Sequence, residues 1–266
     1  LYIHLPSLQL DSTYIEHEHI PIIVLDSKSN QIVQCNSSAS EHGIFIGMGL
    51  GSAAALCPTL EIVQYQVAKE QQLLQQLAQL IYQYVADIAL MMPQGLCLRI
   101  TPMLKLYQDI EQCWQQIKEL IEPFSSHYFI ASAYTPLAAQ LLSQQQSITA
   151  QKLSQQRCVK LETDAVRLNK QLNCVSISTT ALAPQIIKQL SHLGIHKLGQ
   201  LTKIPLKSLA QRFDIDVVNT IGRVNGELKT FLNFYQPKQQ FTHYTDLHFE
   251  VQSIQLLFNP LRHLFT

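Results

Sequence analysis

Apolar and polar residues alternate along the segment 94–101, near the middle of the chain. The apolar positions are Leu96, Leu98 and Ile100, and a polar or small residue follows each of them. A two-residue period of this kind predicts a β-strand with one buried face.

The segments on either side of this strand have a helical period. Residues 69–92 and 103–124 place apolar side chains three and four positions apart, which predicts two amphipathic helices. A further apolar run at 127–134 predicts another strand. A strand between two amphipathic helices, followed by a second strand, predicts a sheet with helices packed on one side.

The rest of the chain divides into shorter predicted elements. Strands are predicted at 1–5, 21–26, 31–35 and 59–65, and short helices at 36–42 and 135–145. The segment 147–173 is polar and predicts a turn-rich crossing between substructures, and helical periodicity returns from Ala183. Beyond it, 241–251 alternates like a strand and 254–265 resembles an amphipathic helix.

Composition limits the possible partners. The 266 residues include 19 basic and 19 acidic side chains, so any attraction for nucleic acid must come from a local patch. The six cysteines form no C-x-x-C pair, which predicts reduced thiols and no zinc site. No apolar run is long enough for a membrane span, so no membrane association is expected. The first residue is not Met, and the last lies in a helical pattern, so we expect a piece of a longer protein.

Two motifs in the segment 42–60 resemble a known family. The turn His42-Gly43-Ile44-Phe45-Ile46-Gly47-Met48 and the run Ala53-Ala54-Ala55-Leu56-Cys57-Pro58 are similar to the fingers of Y-family translesion DNA polymerases. In the same order, 131–142 resembles the palm, 190–226 the thumb and 241–265 the start of the little finger. The resemblance implies an α+β right-hand core, with a ferredoxin-like palm, small fingers and a helix-hairpin-helix thumb.

The resemblance also implies domain boundaries. The palm would comprise 1–10 and 69–160, and the fingers 11–68. The thumb would comprise 161–235, and 236–266 would form a linker and the beginning of the little-finger domain.

In the family, carboxylates on the first strand and ahead of the central strand hold two Mg²⁺ ions. The corresponding positions here carry His4, Pro6, Gln94 and Gly95, none of which is a carboxylate. The residues that grip the triphosphate correspond to Ser37, Ser40 and the segment 134–139. This pattern predicts no catalytic residue, no cofactor, no metal and no enzyme activity. The alternative is an active polymerase with displaced ligands, for which the substitute acids would be Asp11, Asp26, Asp87 and Asp109.

The start of the chain and its central strand further resemble the non-catalytic ImuB-like branch of the family. That branch implies a scaffold in bacterial translesion synthesis and SOS mutagenesis, cytoplasmic and nucleoid-associated. Its implied partners are DNA, a sliding clamp, an ImuA-type protein and an error-prone replicative-type polymerase. The peptide 255–258 superficially resembles a clamp-binding motif, but its position favours a packed helix.

A hairpin in the predicted thumb is the candidate DNA contact. Its residues Gly194, Ile195 and His196 would direct backbone N–H groups at a phosphate, and nearby lysines would add positive charge. The basic residues singled out are Lys197, Lys203 and Lys207. Two alternatives stay open at this point: solvated charges on a structural unit, and a module that binds only proteins.

Overall fold

A mixed sheet organises the chain, and its central strand is the first one in the sequence. The computed structural model describes residues 1–14, 19–107, 109–152 and 156–237. Within them, the strand order is β5-β6-β1-β7-β8, antiparallel except for the parallel pair β7–β8. These strands are β1 (Tyr2–His4), β5 (Ile88–Met91), β6 (Gly95–Leu98), β7 (Tyr128–Ala131) and β8 (Arg157–Lys160).

Helices cover both faces of this sheet, so the prediction of helices on one side is wrong. On one face, α4 (Val67–Ile81) and α6 (Ile110–Ile121) pack against alternate strand residues such as Ile3 and Leu96. On the other face, α7 (Pro136–Lys152) packs against the intervening residues. The alternation predicted for β6 is present, but all four of its residues are buried because α7 closes the second face.

A smaller sheet with strand order β3-β2-β4 lies in the segment between β1 and α4. Its elements are α1 (Leu8–Tyr14), β2 (Ile22–Asp26), β3 (Gln31–Cys35), α2 (Ser37–Glu41), α3 (Leu50–Leu56) and β4 (Glu61–Gln64). β2 and β3 form an antiparallel pair joined by a turn in which Asn30 has a φ of 53°. β4 returns parallel to β2. The strands predicted at 21–26, 31–35 and 59–65 are confirmed.

Residues Leu1–Tyr235 form one compact unit, and the last part of this unit is helical. It contains α8 (Ala165–Cys174), α9 (Pro184–His192), α10 (Gly199–Thr202), α11 (Leu206–Ala210) and α12 (Ile215–Asn225), which share a core with one face of α7. The prediction of a turn-rich crossing at 147–173 is wrong, because that segment holds the end of α7, the strand β8 and most of α8.

Two predicted helices differ in extent from those of the structure. The helix predicted at 69–92 ends at Ile81, and the strand β5 follows it. The helix predicted at 103–124 is interrupted: a 3₁₀ turn (Thr101–Met103) and α5 (Leu104–Tyr107) precede α6, for which the Asp109 side chain is the N-cap. The α+β prediction is confirmed, whereas the elements predicted at 241–251 and 254–265 lie outside the described residues.

All six cysteines are free thiols, in agreement with the prediction. In the described ranges, no helix combines the length and the apolar character needed to cross a membrane.

Candidate functional site

The end of β1 carries the first two residues that the family resemblance singles out. His4 pairs with Gly95 of β6 on one side and with Phe129 of β7 on the other. Burial lowers the pKa of the His4 imidazole to about 4, against the opposing effect of a hydrogen bond with the Gln94 backbone. His4 is therefore neutral at pH 7 and brings no charge to this position.

Gln94 and Gly95 face β1 through backbone and side-chain hydrogen bonds. The Gln94 side chain donates to the carbonyl oxygen of Pro6 at 3.1 Å, and the Leu5 N–H donates to the Gln94 carbonyl at 2.8 Å. Gly95 lies against the ring of Tyr2, where an added Cβ would be 2.0 Å from the Tyr2 hydroxyl. Through these contacts, the residues at the four family positions (4, 6, 94 and 95) form a junction between β1 and β6.

Glu70 of α4 is the carboxyl group that contacts this junction. Its side chain is fully buried and accepts hydrogen bonds from the Tyr65 hydroxyl, at 2.6 Å, and from the side chains of Gln34 and Gln94. Burial raises the pKa of Glu70 above its usual value. The sequence offered no signal for this contact, because Glu70 lies on a different element far from Gln94 along the chain.

The residues present do not fit a pair of magnesium ions. None of the four family positions offers a carboxylate, and Mg²⁺ favours carboxylate and water oxygens. In the part of the chain that the structure describes, no group of three or more His, Cys, Asp or Glu side chains is placed to hold a metal.

The four substitute acids are not brought together. Asp26 accepts from Ser29 in a turn, Asp87 pairs with Arg99, and Asp109 caps α6. Asp11 lies in α1 and contacts His127. Each carboxylate thus has a separate structural partner.

A cavity of about 570 Å³ lies between the small sheet and the end of β1. Among its lining residues are Ser37 and Ser40, which occupy the positions of the family's triphosphate-binding residues. No Lys or Arg is among the described side chains that line it.

Asp11 and His127 form a contact at the border of this cavity that sequence reasoning missed. The Nδ1 atom of His127 lies 3.1 Å from both carboxylate oxygens of Asp11, across a sequence separation of 116 residues. A single Asp and a single His in unrelated segments leave no motif, so only the fold could reveal the pair.

The predicted DNA-binding hairpin follows α9, and Gly194 there has a φ of 74°. The N–H groups of His196 and Lys197 both donate to the side-chain oxygen of Gln200, at 2.8 and 2.9 Å. The Ile195 N–H donates to the Leu190 carbonyl. The N–H groups expected to face a phosphate thus have protein partners in this structure.

The lysines of the predicted patch lie on the surface of the same helical part. Lys197, Lys203 and Lys207 are exposed, and none of them forms an ion pair with another described residue. Their positive charge is available to an anionic partner, and the DNA-binding assignment stays a prediction.

Comparison with known proteins gives a family match and several structural matches. A family model described as the impB/mucB/samB family matches residues 9–144, about half of the chain. No curated protein sequence matches the chain.

DNA polymerases are among the solved structures similar to this chain. DinB from Sulfolobus solfataricus has a TM-score of 0.64 at 14% identity, and the match covers 88% of this chain and 68% of that one. An insertion ternary complex of Dbh DNA polymerase has a TM-score of 0.66 at 13% identity, covering 87% and 68%. A Y-family DNA polymerase chimera of Dbh and Dpo4 has a TM-score of 0.64 at 13% identity, covering 89% and 70%.

These matches confirm the predicted Y-family polymerase fold and correct one prediction. We expected from the four family positions that the chain is not an enzyme. That prediction is contradicted, because the proteins whose fold the chain shares are DNA polymerases.

Proposed function

Since the chain belongs to the impB/mucB/samB family, we propose that it acts in translesion synthesis as a DNA polymerase that binds primer–template DNA. The observation that carries the proposal is the polymerase fold, which extends over 87–89% of the chain in three structural matches. The unpaired lysines of the helical part add a surface suited to a phosphate backbone.

Nucleotidyl transfer by this chain would need metal ligands other than the side chains at positions 4, 6, 94 and 95. The direct test is primer extension on undamaged and abasic templates, with Mg²⁺ and separately with Mn²⁺. We expect incorporation with at least one of the two ions, and no incorporation with either ion would overturn the polymerase assignment.

DNA binding can be tested apart from synthesis. We expect affinity for primer–template to fall with salt, and the Lys197→Ala and Lys203→Ala variants each to reduce the salt slope by about 1. Lys118→Ala is the matched control, because Lys118 lies on α6 and is paired with Glu122. If neither lysine variant changed the salt dependence of DNA binding, the lysine patch would not be part of the DNA interface.

We assign the domains by the same reasoning: palm 1–10 and 69–160, fingers 11–68, and thumb 161–235. Two separate cores support the division between palm and fingers: one lies between the five-stranded sheet and α4 and α6, and the other lies around the small sheet. A third core joins α7 of the palm to the thumb helices α8 to α12, so it spans the palm–thumb boundary. Limited proteolysis should cut first between these clusters.

A second candidate role is recruitment of protein partners by the same chain. The observation that favours it is a set of exposed apolar side chains around the small sheet, namely Phe45, Leu56, Ile62 and Val67. The partners to test are a sliding clamp, an ImuA-type protein and an error-prone replicative-type polymerase. Surface plasmon resonance with each purified partner should detect binding that Phe45→Ser weakens, and no binding to any of the three would remove this role.

A further inference from the structure

The strand β4 forms one edge of the small sheet and pairs with a neighbouring strand on one side. It runs parallel to β2, and the N–H groups of Glu61 and Tyr65 each donate to a carbonyl oxygen of the β2 segment at 2.9 Å. Backbone groups alternate in direction along a strand, so those of Leu60, Ile62 and Gln64 point away from β2. The outer side of β4 thus presents a row of backbone donors and acceptors.

Part of this row already has partners within the chain. The Leu60 N–H donates to the Cys57 carbonyl at 3.3 Å, and the Gln64 carbonyl accepts from the Gln9 side chain at 2.8 Å. Among the described residues, no hydrogen bond satisfies the Leu60 carbonyl, the Gln64 N–H or either backbone group of Ile62. An edge with free groups of this kind is a template for pairing with another chain.

The free groups of β4 are complementary to the same groups of a second copy. In an antiparallel pair, opposite residues exchange N–H···O bonds at every second position. If Ile62 lies opposite Ile62 of a second copy, each Ile62 N–H donates to the carbonyl of the other. In the same register, each Gln64 N–H donates to the Leu60 carbonyl opposite it. This pairing uses every free group and does not need the Leu60 N–H or the Gln64 carbonyl, which are occupied.

The side chains of β4 also suit this register. Ile62 is 46% exposed, so its apolar surface would pack against its own copy. Glu61 is the charged residue of β4 and would lie opposite Val63 of the second copy, so like charges are not directly opposed. The strand contains no Lys or Pro, and its register with β2 is regular, so it lacks devices that commonly prevent edge pairing.

We propose that β4 is a self-association surface, which pairs antiparallel with β4 of a second copy about a twofold axis at Ile62. Two small sheets then form one continuous sheet across the interface. A twofold contact requires a self-complementary surface, and the free groups of β4 meet that requirement. Because the contact is short, the dimer is weak and depends on protein concentration.

The first test is the oligomeric state of the intact chain, measured by sedimentation velocity at increasing protein concentration. The wild type should pass from monomer to dimer, and Ile62→Lys should raise the dissociation constant by about tenfold or more. Val166→Lys is the matched control, because Val166 is 76% exposed on α8, away from β4. A wild type that stays monomeric up to about 0.5 mM, or equal dissociation constants in the two variants, would overturn the proposal.

The second test separates the backbone of Gln64 from its side chain. Gln64→Pro removes the outward N–H and leaves the ladder to β2 intact, so it should weaken the dimer by about tenfold or more. Gln64→Ala is the matched control, because it removes the same side chain, with its hydrogen bond to Ser27, and keeps the N–H. Circular dichroism and urea unfolding establish that both variants are folded. Equal dimerisation of the two would contradict pairing through the backbone.

Amide hydrogen exchange followed by NMR tests the register. The N–H groups of Ile62 and Gln64 should gain protection as the protein concentration rises, whereas those of Glu61 and Tyr65, which are bonded to β2, should not change. A dimer in which the Ile62 amide exchanges as fast as in the monomer would place the contact elsewhere and refute the proposal.

The same variants keep this inference apart from the proposed function. A monomeric Ile62→Lys chain that extends primers supports the inference if the wild type dimerises, and it leaves the polymerase assignment in place. A wild type that extends primers and never dimerises refutes the inference alone. A chain that remains monomeric but whose Ile62 amide is protected by a different protein would assign the edge to that protein and also refute it.

Discussion

The guanidinium carbon of Arg99 lies 5.2 Å from the ring centre of Phe234, so a residue just after β6 holds the segment that follows α12. The same guanidinium donates two hydrogen bonds to Asp87, at 2.8 and 2.7 Å. Since Asp87 immediately precedes β5, the three residues join the edge of the large sheet to the segment that follows the helical part.

Backbone contacts extend this attachment along β5. Phe234 forms an antiparallel bridge with Ala89, and the Tyr235 N–H donates to the Ile88 carbonyl at 2.6 Å. The Tyr235 ring also meets the Tyr82 ring edge-on at 6.3 Å between centres. The segment thereby covers part of an edge strand whose backbone groups would otherwise lack partners.

Phe234→Ala should lower the free energy of unfolding by about 1–2 kcal/mol, since it removes a partly exposed cation–π contact and apolar packing. Urea denaturation gives the difference. Phe231→Ala is the matched control: Phe231 is 91% exposed, and its removal should change stability by less than about 0.5 kcal/mol. Equal losses in the two variants would show that the Arg99 contact adds nothing.

Gly95→Ala should destabilise the sheet by about 1–3 kcal/mol or more, because the new Cβ would lie 2.0 Å from the Tyr2 hydroxyl. Thermal unfolding measures the effect, and Tyr2→Leu in the same chain should recover part of the loss. Gly51→Ala serves as the control. Its Cβ would meet nothing within 4 Å in α3, so we expect a gain of about 0.5–1 kcal/mol.

His4 should make the protein less stable as the pH falls from about 6.5 to about 4. In this range the unfolded chain protonates His4, whereas burial keeps the folded imidazole neutral down to about pH 4. The loss is about 1.4 kcal/mol per pH unit within the window. His4→Leu should lack this component when urea unfolding is compared at pH 7.5 and pH 5, and an identical pH dependence in both proteins would contradict the prediction.

The N–H groups of His196 and Lys197 donate hydrogen bonds to the Gln200 side chain, so Gln200→Ala should free both groups. If these groups meet a phosphate, the variant should bind primer–template DNA about 2–5-fold tighter, a free-energy gain within the range of one hydrogen bond. Fluorescence anisotropy measures the affinity. Gln115→Ala on α6 is the control, and weaker binding in Gln200→Ala alone would indicate that Gln200 itself contacts DNA.

Local sequence patterns were sufficient for most strands and for the helical segment that begins with α9, whereas α8 lies mostly in a segment predicted to be turn-rich. The alternation of Leu96, Leu98 and Ile100 predicted β6, and the run from Gln31 to Cys35 predicted β3, because a two-residue period depends only on neighbouring residues. The glycine-rich motifs of the segment 42–60 pointed to the fold that the structural matches confirm. The prediction of no enzyme activity, made from the side chains at the four family positions, is contradicted by the same matches.

Tertiary structure decided which residues share a site. Asp11 meets His127, Glu70 meets Gln94, and Tyr2 fills the space beside Gly95, and in each pair the partners come from different elements. The sequence by itself determined the periodicity of the strands, the neutral charge balance and the absence of carboxylates at the four family positions. Contacts between distant segments depend on how α7 and the small sheet pack on the large sheet, and no local period encodes that packing.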